Sequence, residues 1–140
     1  MKFKFFPHTA DAKFQAYGKS LDEAFSNAAF AMFSIMVDTK CVDKKLVRKI
    51  SVEASDLNSL LYKFLEKFLY LLDTEYFFLS DVKKLKIVKK GTDFSLNAEV
   101  VGDKFREKYE LQGSVKAITY NQMFVKKIKD RFVVQVVVDL

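Results

Sequence analysis

Residues 2–6 alternate lysine and phenylalanine, and residues 12–17 alternate polar and apolar again up to Gly18. Successive strand side chains point to opposite faces, so the pattern predicts two short strands. Pro7 fixes its own φ and lacks an amide hydrogen, so the first strand stops there. Residues 7–11 then form a tight polar corner in which Thr9 and Asp11 bond local amides. From Ser20 the period changes. Ser20 and Glu23 make a capping box, and Leu21, Ala24, Phe25, Ala28, Ala29, Met32, Phe33 and Met36 recur at helical steps. A first helix is expected to end near Val37 and Asp38.

Residues 39–45 read as a polar loop carrying Cys41, and residues 46–53 as a strand of partial alternation. Ser55 or Asp56 caps a second helix, in which Leu57, Leu60, Leu61, Phe64, Leu65, Phe68, Leu69 and Leu72 form one wide apolar face. A face of that width packs on a sheet; a heptad dimer is the alternative. Strands follow at residues 76–79 and 82–89. A turn at Lys90-Gly91-Thr92-Asp93 leads to a returning strand over residues 94–101. Residues 102–113 are irregular and charged, and strand character resumes at 115–120 and 123–128. After a turn at Lys129-Asp130, residues 132–140 are valine-rich and apolar at both odd and even positions. That signature belongs to a strand covered on both faces, inside a sheet. The expected fold is one α+β domain over residues 1–140, a mostly antiparallel or mixed β-sheet packed with two main helices, with the C-terminal strand buried in the sheet.

Composition narrows the chemistry. Half of the 140 residues are hydrophobic and 15 are Phe, enough for one real core, while 4 Gly and 1 Pro leave little material for linkers. The start is too short and too lysine-rich for a signal peptide, and no apolar run reaches about 18 residues, so a cytoplasmic protein is expected. With one cysteine, Cys41, and one histidine, His8, neither an internal disulfide nor a Cys/His zinc site can be assembled within the chain. Any metal must be held by oxygen. The formal charge of +6 favours RNA or an acidic protein surface as a partner, although lysine-rich surfaces also simply aid solubility. Lys83, Lys84, Lys86, Lys89 and Lys90 form the densest basic patch, readable as a guarded sheet edge or as an RNA or protein contact.

No glycine pair has Walker or Rossmann spacing, no serine sits on a nucleophile elbow, and His8 is the only candidate imidazole base. The absence of Trp leaves little surface for a glycosidase. Asp139 stands where an apolar strand stops, one residue before the carboxylate of Leu140, and Asp11 stands in the polar corner. These three groups suit a hard cation such as Ca²⁺ or Mg²⁺. In the competing reading Asp11 makes a local turn and Asp139 pairs with Lys116.

Several segments together resemble the archease family: Pro7-His8-Thr9-Ala10-Asp11 with Tyr17-Gly18, Ala28-Ala29 with Phe33, and Asp56 with Leu60-Leu61. Val115-Lys116-Ala117-Ile118-Thr119-Tyr120 and the closing Val138-Asp139-Leu140 complete the likeness, which runs through the chain in the family's order. The resemblance implies a small α+β protein that is not itself an enzyme but a cofactor of the tRNA-splicing RNA ligase. That GTP- and metal-dependent enzyme joins 2′,3′-cyclic phosphate or 3′-phosphate ends to 5′-hydroxyl ends. The family member promotes guanylylation of the ligase and supports multiple turnover; a role as chaperone or modulator of RNA-modifying enzymes, such as a tRNA methyltransferase, is the alternative. The implied metal site falls on Asp11, Asp139 and Leu140, with Ca²⁺ the first expectation and Mg²⁺ or Mn²⁺ next. His8 and Lys116 are expected to face the partner, and tRNA is a further expected partner; membrane and DNA are not. Competing functions are a stand-alone metal-dependent phosphoesterase using the same cluster and an RNA chaperone acting through its lysines. Lys13, Phe64, Tyr109 and Asn121 depart from residues common in the family, which are Gly, Trp, His and His.

Overall fold

The computed structural model describes residues 1–8 and 11–140; the expectation for Thr9 lies outside them. Strand β1 (Phe3–Phe6) pairs antiparallel with β2 (Asp11–Gly18), and helix α1 (Leu21–Ser34) follows. A single 3-10 turn at Thr39–Cys41 leads to β3 (Leu46–Ala54), helix α2 (Leu57–Glu75) and strand β4 (Phe77–Lys90). The chain closes with β5 (Asp93–Lys104), β6 (Ala117–Ile128) and β7 (Arg131–Asp139). Every pairing is antiparallel, and there are two sheets, ordered β1-β2-β7-β6 and β3-β5-β4.

The two helices lie between the sheets. Helix α1 packs on β1, β2 and β7 and on β4, whereas α2 packs on β3, β4 and β5 and on β6. Each helix therefore needs an apolar surface wider than a single stripe. Phe25, Phe33, Phe64 and Phe68 supply it, all fully buried, with Phe68 meeting Phe33 and Phe64 edge-on at centroid distances of 5.5 and 5.1 Å. A fully buried side chain of this size contributes about 1.5–3 kcal/mol.

Local chemistry sets the element ends. Ser20 accepts from the Glu23 amide, and the Glu23 carboxylate accepts from the Lys19 amide, one position before the expected return contact. Asp56, rather than Ser55, caps α2 by accepting from the Ser59 amide. Helix α1 ends at Ser34, short of the expected Val37, because the Ile35 and Met36 amides turn back to the Met32 and Phe33 carbonyls three residues earlier. Strands read as separate are continuous. Register shifts near Asp81 and Lys84 let β4 run unbroken, and a shift between Thr119 and Phe124, with Gln122 at φ 56°, does the same for β6. Such bulges add unpaired residues and hide the two-residue period. Gly91, at φ +63°, turns β4 into β5, a backbone conformation costly for other residues.

Strand β7 lies inside the first sheet between β2 and β6, with residues 133–138 all buried. Val134, Val136 and Val138 face the helices. Among the described residues, no element covers the opposite face. Long side chains flank Val133, Gln135 and Val137 there: Arg131, at the start of β7 itself, lies over the Tyr17 ring of β2 at 4.3 Å, and Lys126 lies over the Phe124 ring of β6 at 4.6 Å. Beneath them, Lys13 donates to Gln122 at 3.0 Å, Gln15 to Gln135 at 2.9 Å, and Gln135 to the Gln122 carbonyl at 2.8 Å.

Candidate functional site

The acidic residues meet at one end of the first sheet. In the β2 and β7 register Asp11 lies directly opposite Asp139, and Ala117 of β6 lies opposite Asp139 on the other side. Ala12, Phe14 and Ala16 belong to the core side of β2, so strand alternation puts Asp11 on the outer face. Directly opposed antiparallel residues share a face with Cβ atoms about 4.5–5.5 Å apart, and like charges so placed repel. The chain ends one residue beyond, at Leu140, which is 39% exposed.

Lys116 precedes β6, and its amide donates to the Asp139 carbonyl at 2.8 Å. That bond anchors the strand end. Within 4.0 Å, no Lys116 ammonium meets the Asp139 carboxylate among the described residues, so the contact is through the backbone and not the ion pair of the competing reading. Lys116 is exposed, with its charge available at the rim. His8 brings its Nδ1 to 4.0 Å from Asp11, with side chains 17% and 28% exposed. Asp11, Asp139, Leu140, Lys116 and His8, separated by up to the whole chain length, thus gather at one corner.

The donor chemistry of Asp11 and Asp139 suits a hard divalent cation, because two opposed carboxylates are oxygen donors and their partial exposure leaves room for water. Among the described residues, no group of three or more His, Cys, Asp or Glu side chains gathers around a metal position.

A second polar cluster escaped sequence reasoning. Asp103, at the end of β5, is 1% exposed and accepts from Arg106 Nε at 2.6 Å, the Tyr109 hydroxyl at 2.7 Å and the Lys104 amide at 2.9 Å. The Tyr109 oxygen also accepts from the Asp43 amide at 3.0 Å, and Lys108 holds the Asp43 carboxylate at 2.6 Å. Burial, the largest single influence, raises the Asp103 pKa, but the Arg106 and Tyr109 hydrogen bonds, the Arg106 charge and the Lys104 amide outweigh it and hold it below the usual range. Burial, then the Asp103 hydrogen bond, pushes the Tyr109 phenol up. The cluster clips the residues after β5 to the loop before β3. Its only sequence signal was the three-residue spacing of Asp103, Arg106 and Tyr109.

Cys41 is exposed. Its thiol lies 3.5 Å from Asp38 Oδ2, and that hydrogen bond, followed by the Asp38 charge, raises its pKa and disfavours the nucleophilic thiolate. No helix among the described residues is long and apolar enough to cross a membrane.

Comparison with known proteins extends the likeness over the whole chain. The Archease protein family (MTH1598/TM1083) matches residues 3–140. Protein archease of Pyrococcus furiosus is 40% identical over 141 residues, covering 99% of both chains, and that of Methanosarcina barkeri is 37% identical over 140 residues, covering 99% of this chain and 96% of its own. The solution structure of Methanobacterium thermoautotrophicum protein 1598 superimposes with a TM-score of 0.87 at 37% identity, over 99% of each chain. The crystal structure of a Thermotoga maritima archease, described as a possible chaperone, shares the fold at a TM-score of 0.61 and 16% identity, over 98% of this chain and 96% of its own. With the fold, the strand order and nearly every residue accounted for, this chain belongs to the archease family.

Proposed function

We propose that this protein is a non-enzymatic cofactor of a GTP-dependent tRNA-splicing RNA ligase, promoting guanylylation of the ligase and its repeated turnover. The observation that carries the reading is the direct opposition of Asp11 and Asp139, one residue before Leu140. Like charges are held together here at an energetic cost that a cation removes. Asp11, Asp139 and Leu140 would hold the ion, with Ca²⁺ favoured over Mg²⁺ or Mn²⁺ because irregular oxygen sets with water suit the larger cation. When bound, the ion supplies positive charge able to polarise phosphate oxygens. Lys116 offers a mobile ammonium at the same rim, suited to a carboxylate of the ligase or to nucleotide phosphates. His8, 4.0 Å from Asp11, would face the partner at the same corner.

The test is joining of a cyclic-phosphate RNA by the cognate ligase with GTP and substrate in excess. Wild-type protein is expected to restore repeated turnover and Asp139→Ala to lose that stimulation, while neither joins RNA alone. No stimulation by folded wild type refutes the reading. A chaperone or modulator of an RNA-modifying enzyme, such as a tRNA methyltransferase, is the second reading, favoured by the description of the Thermotoga relative as a possible chaperone. It predicts less aggregation or altered specificity of the client and no dependence on Asp139.

A further inference from the structure

The second sheet turns its outer face away from the helices and carries a groove of 790 Å³. Cross-strand register builds it in rungs. Lys49, Glu99 and Lys84 form one rung across β3, β5 and β4, and Ser51, Asn97 and Lys86 form the next. Lys83, at the β4 register shift, adds a fourth ammonium to the lining. Lys83 lies 3.6 Å from Asp81, whereas Lys49, Lys84 and Lys86 have no carboxylate within 4.0 Å among the described residues.

Lysines on edge strands guard against edge-to-edge pairing, but that role needs no concave surface between the edges. Here β3 and β4 are the two edges, two strand spacings or about 9.6 Å apart, so Lys49 and Lys84 flank a channel one polymer backbone wide. Lys84 and Lys86 are two residues apart on one face of one strand, about 6.8 Å, so their ammonium groups line the track in series. On the central strand Glu99 stands between Lys49 and Lys84, where four lysines outnumber its one carboxylate, and in the next rung the Ser51 hydroxyl bonds the Asn97 side-chain oxygen, which leaves the Asn97 amide group as a donor. No aromatic ring lines the groove, so a bound strand would be held by its backbone and not by base stacking.

We infer that this groove is a docking track for the phosphate backbone of single-stranded RNA, with Lys49, Lys84 and Lys86 meeting phosphates and the Ser51 and Asn97 floor suited to ribose hydroxyls. The track is independent of the acidic corner, since the helices separate the two sheets and the groove needs neither cation nor ligase.

The experiment is fluorescence anisotropy of a labelled single-stranded RNA of mixed sequence, titrated with the full protein alone over a range of salt. Each phosphate contact contributes about −0.7 to the slope of log affinity against log salt. Replacing two of the three lysines, Lys84→Gln with Lys86→Gln, is therefore expected to make the slope shallower by about 1.4 and weaken binding at least about tenfold at low salt. Lys126→Gln, on the first sheet, is expected to leave both unchanged. An unchanged slope in the folded double variant overturns the proposal. So does displacement of the RNA by polyglutamate at equal charge concentration, which would assign the groove to an acidic protein. Acetylation of the wild-type protein with and without RNA gives a reading free of variants. Protection of Lys84 and Lys86 is expected, and protection elsewhere but not there overturns the track.

Discussion

Removing one oxygen atom from Tyr109 tests the cluster at the end of β5. In the folded protein the Tyr109 hydroxyl donates to Asp103 and accepts from the Asp43 amide, with Tyr109 4% and Asp103 1% exposed. Tyr109→Phe keeps the ring and loses both bonds. A hydrogen bond to a buried charged group contributes about 1.5–3 kcal/mol. The Asp43 amide lies at a half-exposed position where water can replace its partner, so its loss adds about 1 kcal/mol at most. The expected destabilisation at neutral pH is about 3 kcal/mol, a fall in Tm of about 10 °C for a chain of this size. Urea unfolding followed by circular dichroism measures it, since the chain has no Trp to report by fluorescence. The charge dependence is the sharper part of the test. In an Asp103→Asn background the same bond is neutral and contributes only about 1 kcal/mol, so a double-mutant cycle should give a coupling of about 0.5–2 kcal/mol. A cost below about 0.5 kcal/mol, or no coupling, would refute the claim that Tyr109 holds an ionised Asp103.

Other outcomes follow from the same contacts. The Asp103 pKa is lowered on folding, so its stabilisation is present above about pH 4, the unfolded carboxyl range, and is lost as pH falls through the lower folded value; Asp103→Asn should flatten that acid limb in a series of melts. Tyr109 has a raised pKa, so its contribution is complete below about pH 10 and disappears as pH rises through the folded value, an alkaline loss absent from Tyr109→Phe. Calcium at about 100 times its Kd should stabilise the wild type by about 2.7 kcal/mol in calorimetry, and Asp139→Asn should abolish that gain while leaving the cation-free protein no less stable; equal gains in both would place the ion elsewhere. At Gly102 a Cβ would run into the Phe78 carbonyl and lie 2.8 Å from the Phe77 ring, so Gly102→Ala should cost at least about 2 kcal/mol or prevent folding, read by urea titration. Phe33→Ala, emptying a site shared by Phe68 and Phe78, should cost about 3–5 kcal/mol in the same assay.

The chain's local periods determined its elements. The three-to-four residue recurrence through Phe25, Phe33, Phe64 and Phe68 specified two helices, and the unbroken valines before Asp139 placed the last strand inside a sheet, because burial imposes its period directly on the side chains. The ends of helices were legible where a cap was local, as at Ser20 and Asp56. Bulges near Asp81 and Gln122 hid the continuity of β4 and β6, since an added residue shifts the two-residue period without leaving a compositional mark. The division into two sheets was equally hidden, because antiparallel partners are chosen by surfaces distant in sequence. The valines also said nothing of what covers them: among the described residues helix α1 packs on one face of β7, and no further element packs on the other. At the candidate site the sequence supplied Asp11, Asp139, Leu140, His8 and Lys116 by type, through their position at element ends and their likeness to a known pattern. Only the register between β2 and β7 set Asp11 opposite Asp139, and only the tertiary packing carried Tyr109 back to Asp103 and Asp43. Hydrogen-bond geometry across strands and loops is a property of the folded surfaces, and no local period encodes it.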